Sequence, residues 1–185
     1  MRNLWIVPWV LLTACSGSHG PGSDGGAAGY DECAMPTDCI VVPASCCGSC
    51  GAATRGDSVA VSRARSGEYR TSVCGDELGC PRCFMEQDPT LVATCEAGRC
   101  VVVDLQLHGA TECADASECH VRAVECCECG ATISPSTVIA ISDPAAYEAL
   151  VCDPGMGCAE CAPIYPPEYE ALCEAGRCVF RGSGP

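Results

Sequence analysis

Apolar residues occur along the chain in short runs that are separated by segments rich in Gly, Pro, Ser and acidic residues. Two such runs, 39–42 and 59–62, have the length and the β-branched content that favour strands. The corresponding segments later in the chain are 119–122 and 138–142. The pattern therefore predicts a first and a second short strand in each half of the chain.

A predicted β-hairpin follows these strands in each half. Apolar residues lie on both sides of a turn that contains Gly, which is typical of two paired strands. The apolar segments are 91–93 with 101–103, and 171–172 with 179–180. Each half of the chain is thus predicted to end in a hairpin.

A short helix is predicted ahead of the hairpin in the second half. It covers 143–150, with Asp143 as its N-cap and Pro144 at its first helical position. Tyr69 holds the place of Tyr147 in the first half, because each of the two precedes a cysteine by five residues. The two halves therefore share an aromatic residue at the same position.

The cysteines indicate that the two halves are copies of one unit. Twenty of the 21 cysteines form two sets of ten, with steps of 6, 7, 1, 3, 24, 6, 3, 12 and 5 in the first set and 6, 7, 1, 2, 23, 6, 3, 12 and 5 in the second. Such self-similarity is typical of repeated structural units. The hexapeptide 95–100 also recurs unchanged at 173–178. The first set is Cys33, Cys39, Cys46, Cys47, Cys50, Cys74, Cys80, Cys83, Cys95 and Cys100, and the second is Cys113, Cys119, Cys126, Cys127, Cys129, Cys152, Cys158, Cys161, Cys173 and Cys178.

We therefore predict two tandem homologous modules, module 1 at 31–103 and module 2 at 111–183, joined by a linker at 104–110. Each is expected to be a small disulfide-rich fold of the α+β or mostly-β class, with roughly three to four short antiparallel strands and a short helix. A module of about 70 residues is only marginally stable on hydrophobic burial alone. Disulfides are expected to dominate its stability, at about 2 to 4 kcal/mol each.

The pairing of the cysteines stays open at this point. Neighbouring extended residues point to opposite faces, and a disulfide has narrow geometric demands. Cys46 and Cys47 are therefore not expected to bond to each other, nor are Cys126 and Cys127, and each is expected to bond to a different neighbour. We predict that all cysteines of the two sets are oxidised and that every bond stays within one module.

The first residues of the chain account for the remaining cysteine. Arg2 precedes an apolar run at 4–12, and the segment ends in Leu12-Thr13-Ala14-Cys15. This tetrapeptide resembles the lipobox of bacterial lipoproteins, which implies that residues 1–14 are a signal peptide and that Cys15 becomes the lipidated first residue. A membrane span needs about 20 apolar residues, so the shorter run is an export signal. An ordinary secretory signal with an incidental Cys15 is the alternative, and it would leave an odd thiol.

Residues 15–30 are rich in Gly and Ser and are predicted to be a tether between the lipid and module 1. A Gly-rich coil of this length has a root-mean-square reach of about 20 Å. By the same resemblance, Ser16 after the lipidated residue implies the outer membrane of a Gram-negative cell. We therefore expect an exported protein that is held at a membrane through Cys15.

The charge of the chain argues against nucleic acid as a partner. Beyond residue 14 it has nine arginines, no lysine and 24 acidic residues, a formal charge of −15. A phosphate backbone is bound by basic clusters. The only basic stretch, Arg55, Arg63, Arg65 and Arg70, has no equivalent in module 2 and is predicted to be a solvated face.

Two kinds of cysteine chemistry compete with structural disulfides. Cys47-x-x-Cys50 and Cys80-x-x-Cys83 resemble zinc knuckles in spacing, but module 2 has Cys127-x-Cys129 in place of the first pair. The pairs at 80–83 and 158–161 also have the spacing of redox-active thiols, yet no βαβ pattern surrounds either of them. We therefore expect neither a metal nor another cofactor.

The two modules share no arrangement that is typical of a hydrolase. The three histidines are His19 in the tether, His108 in the linker and His120 in a strand of module 2, where a surface position is expected. Charged residues of the hairpin turns are expected to form solvated pairs rather than catalytic carboxylates: Glu96 with Arg99, and Glu174 with Arg177.

These observations predict a lipid-anchored, disulfide-stabilised extracytoplasmic binding protein without catalytic activity. Its partners would be the membrane, through Cys15, and a protein or glycan of the envelope or the extracellular space. A protease inhibitor is an alternative, because a preorganised loop loses little entropy on binding and Arg63 or Arg65 suits a trypsin-like pocket. A metal-binding or thiol-redox protein is a second alternative.

Overall fold

The computed structural model describes residue 27, residues 29–75, residue 80 and residues 85–129, 131, 133–161 and 163–182. Within these residues the chain forms two α-helices, ten short strands and six short 3-10 helices. The α-helices are α1 (Ser66–Cys74) and α2 (Pro144–Val151). The strands are β1 (Cys39–Pro43), β2 (Gly51–Ala52), β3 (Ser58–Ser62), β4 (Met85–Glu86), β5 (Leu91–Glu96), β6 (Arg99–Asp104), β7 (His120–Ala123), β8 (Val138–Ile141), β9 (Glu170–Glu174) and β10 (Arg177–Arg181). They pair as β1 with β3, β2 with β4, β5 with β6, β7 with β8 and β9 with β10.

The predicted fold class is confirmed, since the described chain consists of short strand pairs and short helices that disulfides hold together. Helix α2 begins as predicted, and the side chain of Asp143 accepts a hydrogen bond of 3.0 Å from the backbone N–H of Ala146. One pair departs from the expected antiparallel pattern, because β2 and β4 run parallel. The disulfide between Cys47 and Cys80 precedes both segments and places them side by side in the same direction.

Strand β1 has apolar residues on both faces and therefore lies between two layers. Successive residues of a strand point to opposite faces. Cys39 and Val41 pack with the hairpin β5–β6, whereas Ile40 and Val42 pack in the cluster that contains Tyr69 of α1. Module 1 is thus layered in the order α1, sheet β1–β3, hairpin β5–β6.

The same order of layers occurs in module 2. Tyr147 of α2 packs with Ile139 and Ile141 of β8, on one face of the sheet β7–β8. Ala140 faces the other side, where Cys178 of the hairpin β9–β10 covers it. The residues of β8 therefore alternate between the two faces as those of β3 do, where Val59 and Val61 face α1 and Ala60 faces the hairpin.

Residues 104–110, predicted as the linker, take part in a hydrophobic cluster with both modules. Leu105 and Ala110 have no exposed surface. They belong to a cluster with Val92, Ile139, Ile141 and Tyr147. The hairpin β5–β6 is consequently covered on both faces, by the sheet β1–β3 on one face and by α2 on the other.

The end of the predicted tether takes the corresponding place in module 1. Ala27 is buried in the cluster between α1 and β3. The carbonyl of Tyr30 accepts a hydrogen bond of 2.6 Å from the N–H of Ser62, just as the carbonyl of Ala110 accepts one of 2.8 Å from the N–H of Ser142. The chain therefore enters both modules along the same side of the sheet.

Corresponding positions of the two helices differ in polarity according to what covers them. Positions correspond when they lie at the same distance from equivalent cysteines. Ala146 and Leu150 of α2 pack against the cluster that contains β5, whereas α1 has Glu68 and Ser72 at these positions. The helix that another layer covers is thus apolar on that side, and the helix at the end of the stack is polar.

The two hairpins follow the same rule. Val92 and Val103 of β5–β6 lie in the cluster with α2. The corresponding residues of β9–β10 are Glu170 and Arg181, and both are exposed. A polar outer face on the terminal layers keeps a stack of structural units soluble.

The described cysteines form nine disulfides, and adjacent cysteines bond to different partners, as predicted. Every one of these bonds joins two cysteines of the same set. Cys50 is disulfide-bonded too, whereas Cys15 and Cys83 lie outside the described residues. The bonds are Cys33–Cys95, Cys39–Cys100, Cys46–Cys74 and Cys47–Cys80 in module 1, and Cys113–Cys173, Cys119–Cys178, Cys126–Cys152, Cys127–Cys158 and Cys129–Cys161 in module 2.

The buried linker yields a prediction with an internal control. Replacing Leu105, which has no exposed surface, by Ala should lower the free energy of unfolding by about 2 to 5 kcal/mol, because it leaves a cavity in the cluster. Replacing Leu107, which is 79% exposed in the same 3-10 turn, should change it by less than about 0.5 kcal/mol. Urea unfolding of the oxidised proteins measures both. Equal effects of the two substitutions would contradict the packing described for the linker.

Candidate binding groove

The two modules differ at the junction of their first strand and their helix. In module 2 this place is filled by Arg122 of β7, which is only 5% exposed. Its guanidinium carbon lies 4.5 Å from the centre of the Tyr147 ring. The guanidinium also donates hydrogen bonds to the carbonyls of Ala123, Glu125 and Cys126, at 3.1, 3.2 and 3.1 Å. A cation that is stacked on an aromatic face and bound by carbonyls is fully satisfied without solvent.

Further polar side chains close this cluster in module 2. The carboxylate of Glu148 lies 3.5 Å from the guanidinium of Arg122. The hydroxyl of Tyr165 donates to the carboxylate of Glu128 and accepts a hydrogen bond of 2.8 Å from the N–H of Ala123. Each of these groups therefore has a partner within the module.

Module 1 has an open groove of about 530 Å³ at the equivalent place. Val42 stands where module 2 has Arg122, and Arg70 stands where it has Glu148. Since a valine is much shorter than an arginine, no side chain that the structure describes fills the space that the guanidinium occupies in module 2. The apolar part of the groove is lined by Ile40, Val42, Pro43, Tyr69 and Val73.

The framework around the groove is the same in both modules. The hydroxyl of Tyr69 donates to the carbonyl of Ala44 at 3.1 Å, and that of Tyr147 donates to the carbonyl of Val124 at 2.6 Å. In module 1 the edge of Tyr30 also packs against the Tyr69 ring, at a centroid distance of 5.7 Å. Each tyrosine thus ties its helix to the end of the first strand, and the groove is the consequence of a side-chain change on a shared scaffold.

Arg70 is exposed at the rim of this groove. Among the residues that the structure describes, it is the arginine with neither a hydrogen bond nor an ion pair. The remaining described arginines contact carboxylates or carbonyls: Arg55, Arg63, Arg65, Arg99, Arg122, Arg177 and Arg181. An unpaired cation beside an apolar surface is therefore a local feature of module 1.

The geometry gives no support to the use of Arg63 or Arg65 as an inhibitor's reactive residue. Both lie in a 3-10 helix rather than in an extended loop. Arg63 donates to the carbonyl of Thr37 at 3.1 Å, and Arg65 is paired with Glu68 at 2.9 Å. Part of the basic stretch thus contacts the protein itself, whereas the sequence predicted only a solvated face.

The predicted ion pairs in the hairpin turns are not the ones that form. Arg99 pairs with Asp31 at 2.8 Å, and the guanidinium of Arg177 lies 3.6 Å from the carboxylate of Glu112. Both arginines reach the chain segment that enters their module, because that segment forms a β-bridge beside them. Glu174 pairs instead with Arg181 at 2.9 Å.

The cysteine pairs that suggested zinc or redox chemistry are bonded elsewhere. Cys80 is joined to Cys47, and Cys158 and Cys161 are joined to Cys127 and Cys129. Sulfur atoms of neighbouring disulfides do come within 4.8 Å of one another in four places. Every cysteine in these four groups is disulfide-bonded, so none of them offers the thiolate that a metal needs.

A second cavity, of about 380 Å³, lies between the modules. The N–H and the hydroxyl of Thr37, one of its lining residues, donate to Asp153 of module 2 at 3.1 and 2.6 Å. This cavity therefore belongs to the contact between the modules, and the groove of module 1 is the better candidate for a ligand site.

The described histidines lie apart from the groove. His120 is exposed on β7, the surface position expected for it, and Nδ1 of His108 accepts a hydrogen bond of 3.1 Å from the N–H of Ala110. His19 lies outside the described residues. Comparisons of the chain with protein families, with curated proteins and with solved structures find no match.

The closed cluster of module 2 predicts an abnormal tyrosine titration. Burial raises the pKa of Tyr147, and burial together with the bond to Glu128 raises the pKa of Tyr165. A raised pKa means that the neutral phenol stabilises the fold below the ordinary pKa of about 10, and that this contribution is lost as the pH rises beyond it.

We therefore expect alkaline titration at 295 nm to show two tyrosines that ionise well above pH 10 in the oxidised protein and near pH 10 after reduction and denaturation. Tyr147→Phe and Tyr165→Phe should each remove one late step. A single transition of all tyrosines near pH 10 in the native protein would contradict the cluster.

Proposed function

We propose that this protein is an exported, lipid-anchored binding protein without catalytic activity, and that its ligand occupies the groove of module 1. One observation carries the proposal. The same scaffold is present twice, and the site that Arg122 fills in module 2 is open in module 1, beside the unpaired Arg70.

The disulfides support the extracytoplasmic part of this proposal. Bonds of this density form and persist in oxidising compartments and are rare in the cytosol. In the described chain each module carries several of them, so the fold requires such a compartment.

The sequence ahead of residue 27 supports anchoring at a membrane. The lipobox-like segment that ends at Cys15 would attach the chain to lipid, and residues 15–26 would leave module 1 a short distance from the bilayer. Neither helix of the described chain is long and apolar enough to cross a membrane. Attachment through Cys15 is therefore the membrane contact that we propose.

The positions of the polar groups support binding rather than turnover. A catalytic site brings a nucleophile or a metal together with a general acid or base in one pocket. In the described chain the groove is lined by apolar side chains, disulfide cysteines, serines, a glycine, Tyr69 and Arg70. A serine without a neighbouring base is a weak nucleophile, and burial raises the pKa of Tyr69.

Lipid attachment is tested by replacing Cys15 with Ser. The variant should no longer incorporate labelled acyl chains and should leave the detergent-soluble membrane fraction, because it lacks the thiol that would be modified. Membrane fractionation after metabolic labelling measures both effects. Ser16→Ala, which keeps the thiol, is the control and should stay labelled. A Cys15→Ser protein that remains acylated would refute the assignment.

Use of the groove is tested by filling it. Val42→Arg introduces the side chain that fills the same place in module 2. The mature chain is immobilised on a column, and the envelope component that it retains is measured. The Val42→Arg chain should retain at least tenfold less of that component, which corresponds to a loss of about 1.4 kcal/mol in binding free energy. Leu107→Arg adds the same charge at an exposed position and is the control. Equal retention by all three proteins would place the ligand site outside the groove.

A further inference from the structure

We propose that the groove of module 1 takes an acidic peptide segment, whose apolar side chain lies on Val42 and Tyr69 and whose carboxylate pairs with Arg70. The proposal rests on the proposed function, since it names the chemistry of the ligand in the same groove. It is argued from the comparison of the two modules, because module 2 contains an internal occupant of the equivalent site.

The internal occupant defines two subsites. Arg122 lies over the ring of Tyr147 at 4.5 Å, and its charge meets Glu148 of the helix at 3.5 Å. One subsite is thus the surface of the tyrosine, and the other is the helix residue that directly follows it. In module 2 a side chain of the same chain meets both.

Module 1 keeps both subsites and changes their chemistry. Val42 makes the strand side apolar and short, so the surface beside Tyr69 is open. Arg70 replaces the acidic residue of the helix by a cation. The complement of this arrangement is an apolar group that is joined to an anion. A cationic ligand is disfavoured, because it would meet the like charge of Arg70.

The negative charge of the remaining surface makes the rim at Arg70 the favoured place for an anionic segment to bind. The chain carries a formal charge of −14, and the other described arginines are held by carboxylates or carbonyls. An anionic segment is therefore repelled over most of the surface and attracted at this rim. Such complementarity favours one orientation and suppresses wrong partners.

The rim of the groove favours a peptide over an acyl chain. Ser45, Ser66 and Gly67 border the apolar residues, so hydroxyl and backbone groups lie along the same surface. The hydroxyl of Ser66 already donates to the carbonyl of Arg63 at 2.9 Å, whereas the hydroxyl of Ser45 has no hydrogen bond to the described residues. The amides of a peptide can pair with such a hydroxyl, and an acyl chain cannot. Tyr69 and Pro43 provide the rigid apolar contact that peptide-binding grooves use.

The first arm of the test uses 8-anilinonaphthalene-1-sulfonate, an apolar anion whose fluorescence rises on binding, with the oxidised mature chain. We expect saturable binding of the probe, and Val42→Arg should abolish it. Arg70→Glu should weaken the binding about tenfold, because it removes one exposed charge pair and adds a like-charge contact. Arg181→Glu makes the same charge change at the far end of the stack and should leave the affinity unchanged. The neutral probe N-phenyl-1-naphthylamine should bind without dependence on Arg70.

The second arm displaces the bound probe. Blocked hexapeptides that contain a Leu-Phe pair followed by Glu should displace it at about tenfold lower concentration than peptides with Gln in that place. Displacement by laurate but not by the Glu peptides would overturn the peptide as occupant. Circular dichroism and the absence of free thiols show that each variant has kept the fold.

The outcomes separate this proposal from the one on which it rests. Probe binding that Val42→Arg leaves unchanged lies outside the groove and overturns both. Probe binding that Val42→Arg abolishes and Arg70→Glu leaves unchanged keeps the groove as the site but overturns the acidic ligand. Equal displacement by Glu and Gln peptides has the same meaning.

Discussion

The disulfides between the start of each module and its final hairpin hold the layers of the module together. Cys33–Cys95 and Cys39–Cys100 close loops of about 60 residues. In the chain-entropy description, each closure lowers the conformational entropy of the unfolded chain and so stabilises the folded state by about 4 kcal/mol. The hydrophobic core is too small to stabilise the fold without these disulfides. Its largest buried side chains are two tyrosines, a leucine, two isoleucines and valines. The cross-links hold the first strand against the hairpin, and the small hydrophobic clusters then complete the layers.

The packing of the hairpin β5–β6 on both of its faces extends this order beyond one module. Val92 and Leu105 lie in the same cluster as Tyr147, so the segment at 104–110 acts as part of the core and not as a free connection. The two ends of the stack have charged or polar residues, such as Glu68 and Arg181, where the inner layers have apolar ones. This distribution leaves a polar outer face on each of the two outermost described layers.

Exchanges of side chains at two positions, Val42 for Arg122 and Arg70 for Glu148, distinguish the two modules on one scaffold. The tyrosine of each helix donates to a backbone carbonyl at the end of the first strand, and this contact sets the width of the space between helix and strand. In module 2 Arg122 occupies that space and finds every partner it needs within the module. In module 1 Val42 leaves it open. In module 2 the carbonyls and the aromatic ring offset the desolvation penalty of the buried guanidinium. Module 1 has no such penalty, because Val42 carries no charge.

The local elements and the chemistry of stabilisation could be predicted from the amino-acid sequence. Short strand-like segments predicted β1, β3, β7 and β8, and Asp143 with Pro144 predicted the start of α2. The cysteine series predicted an oxidised, disulfide-rich fold. These features depend on residues that are close together in the chain. The pairing of the cysteines could not be predicted in this way, since it depends on distances between segments about 60 residues apart in the chain, which the folded structure sets. The folded structure also placed Leu105 and Ala110 in the core and gave Arg99 and Arg177 partners outside their turns. The groove likewise emerged only in three dimensions, because Val42 and Arg70 are far apart in the chain, and packing of α1 on β1 brings them together.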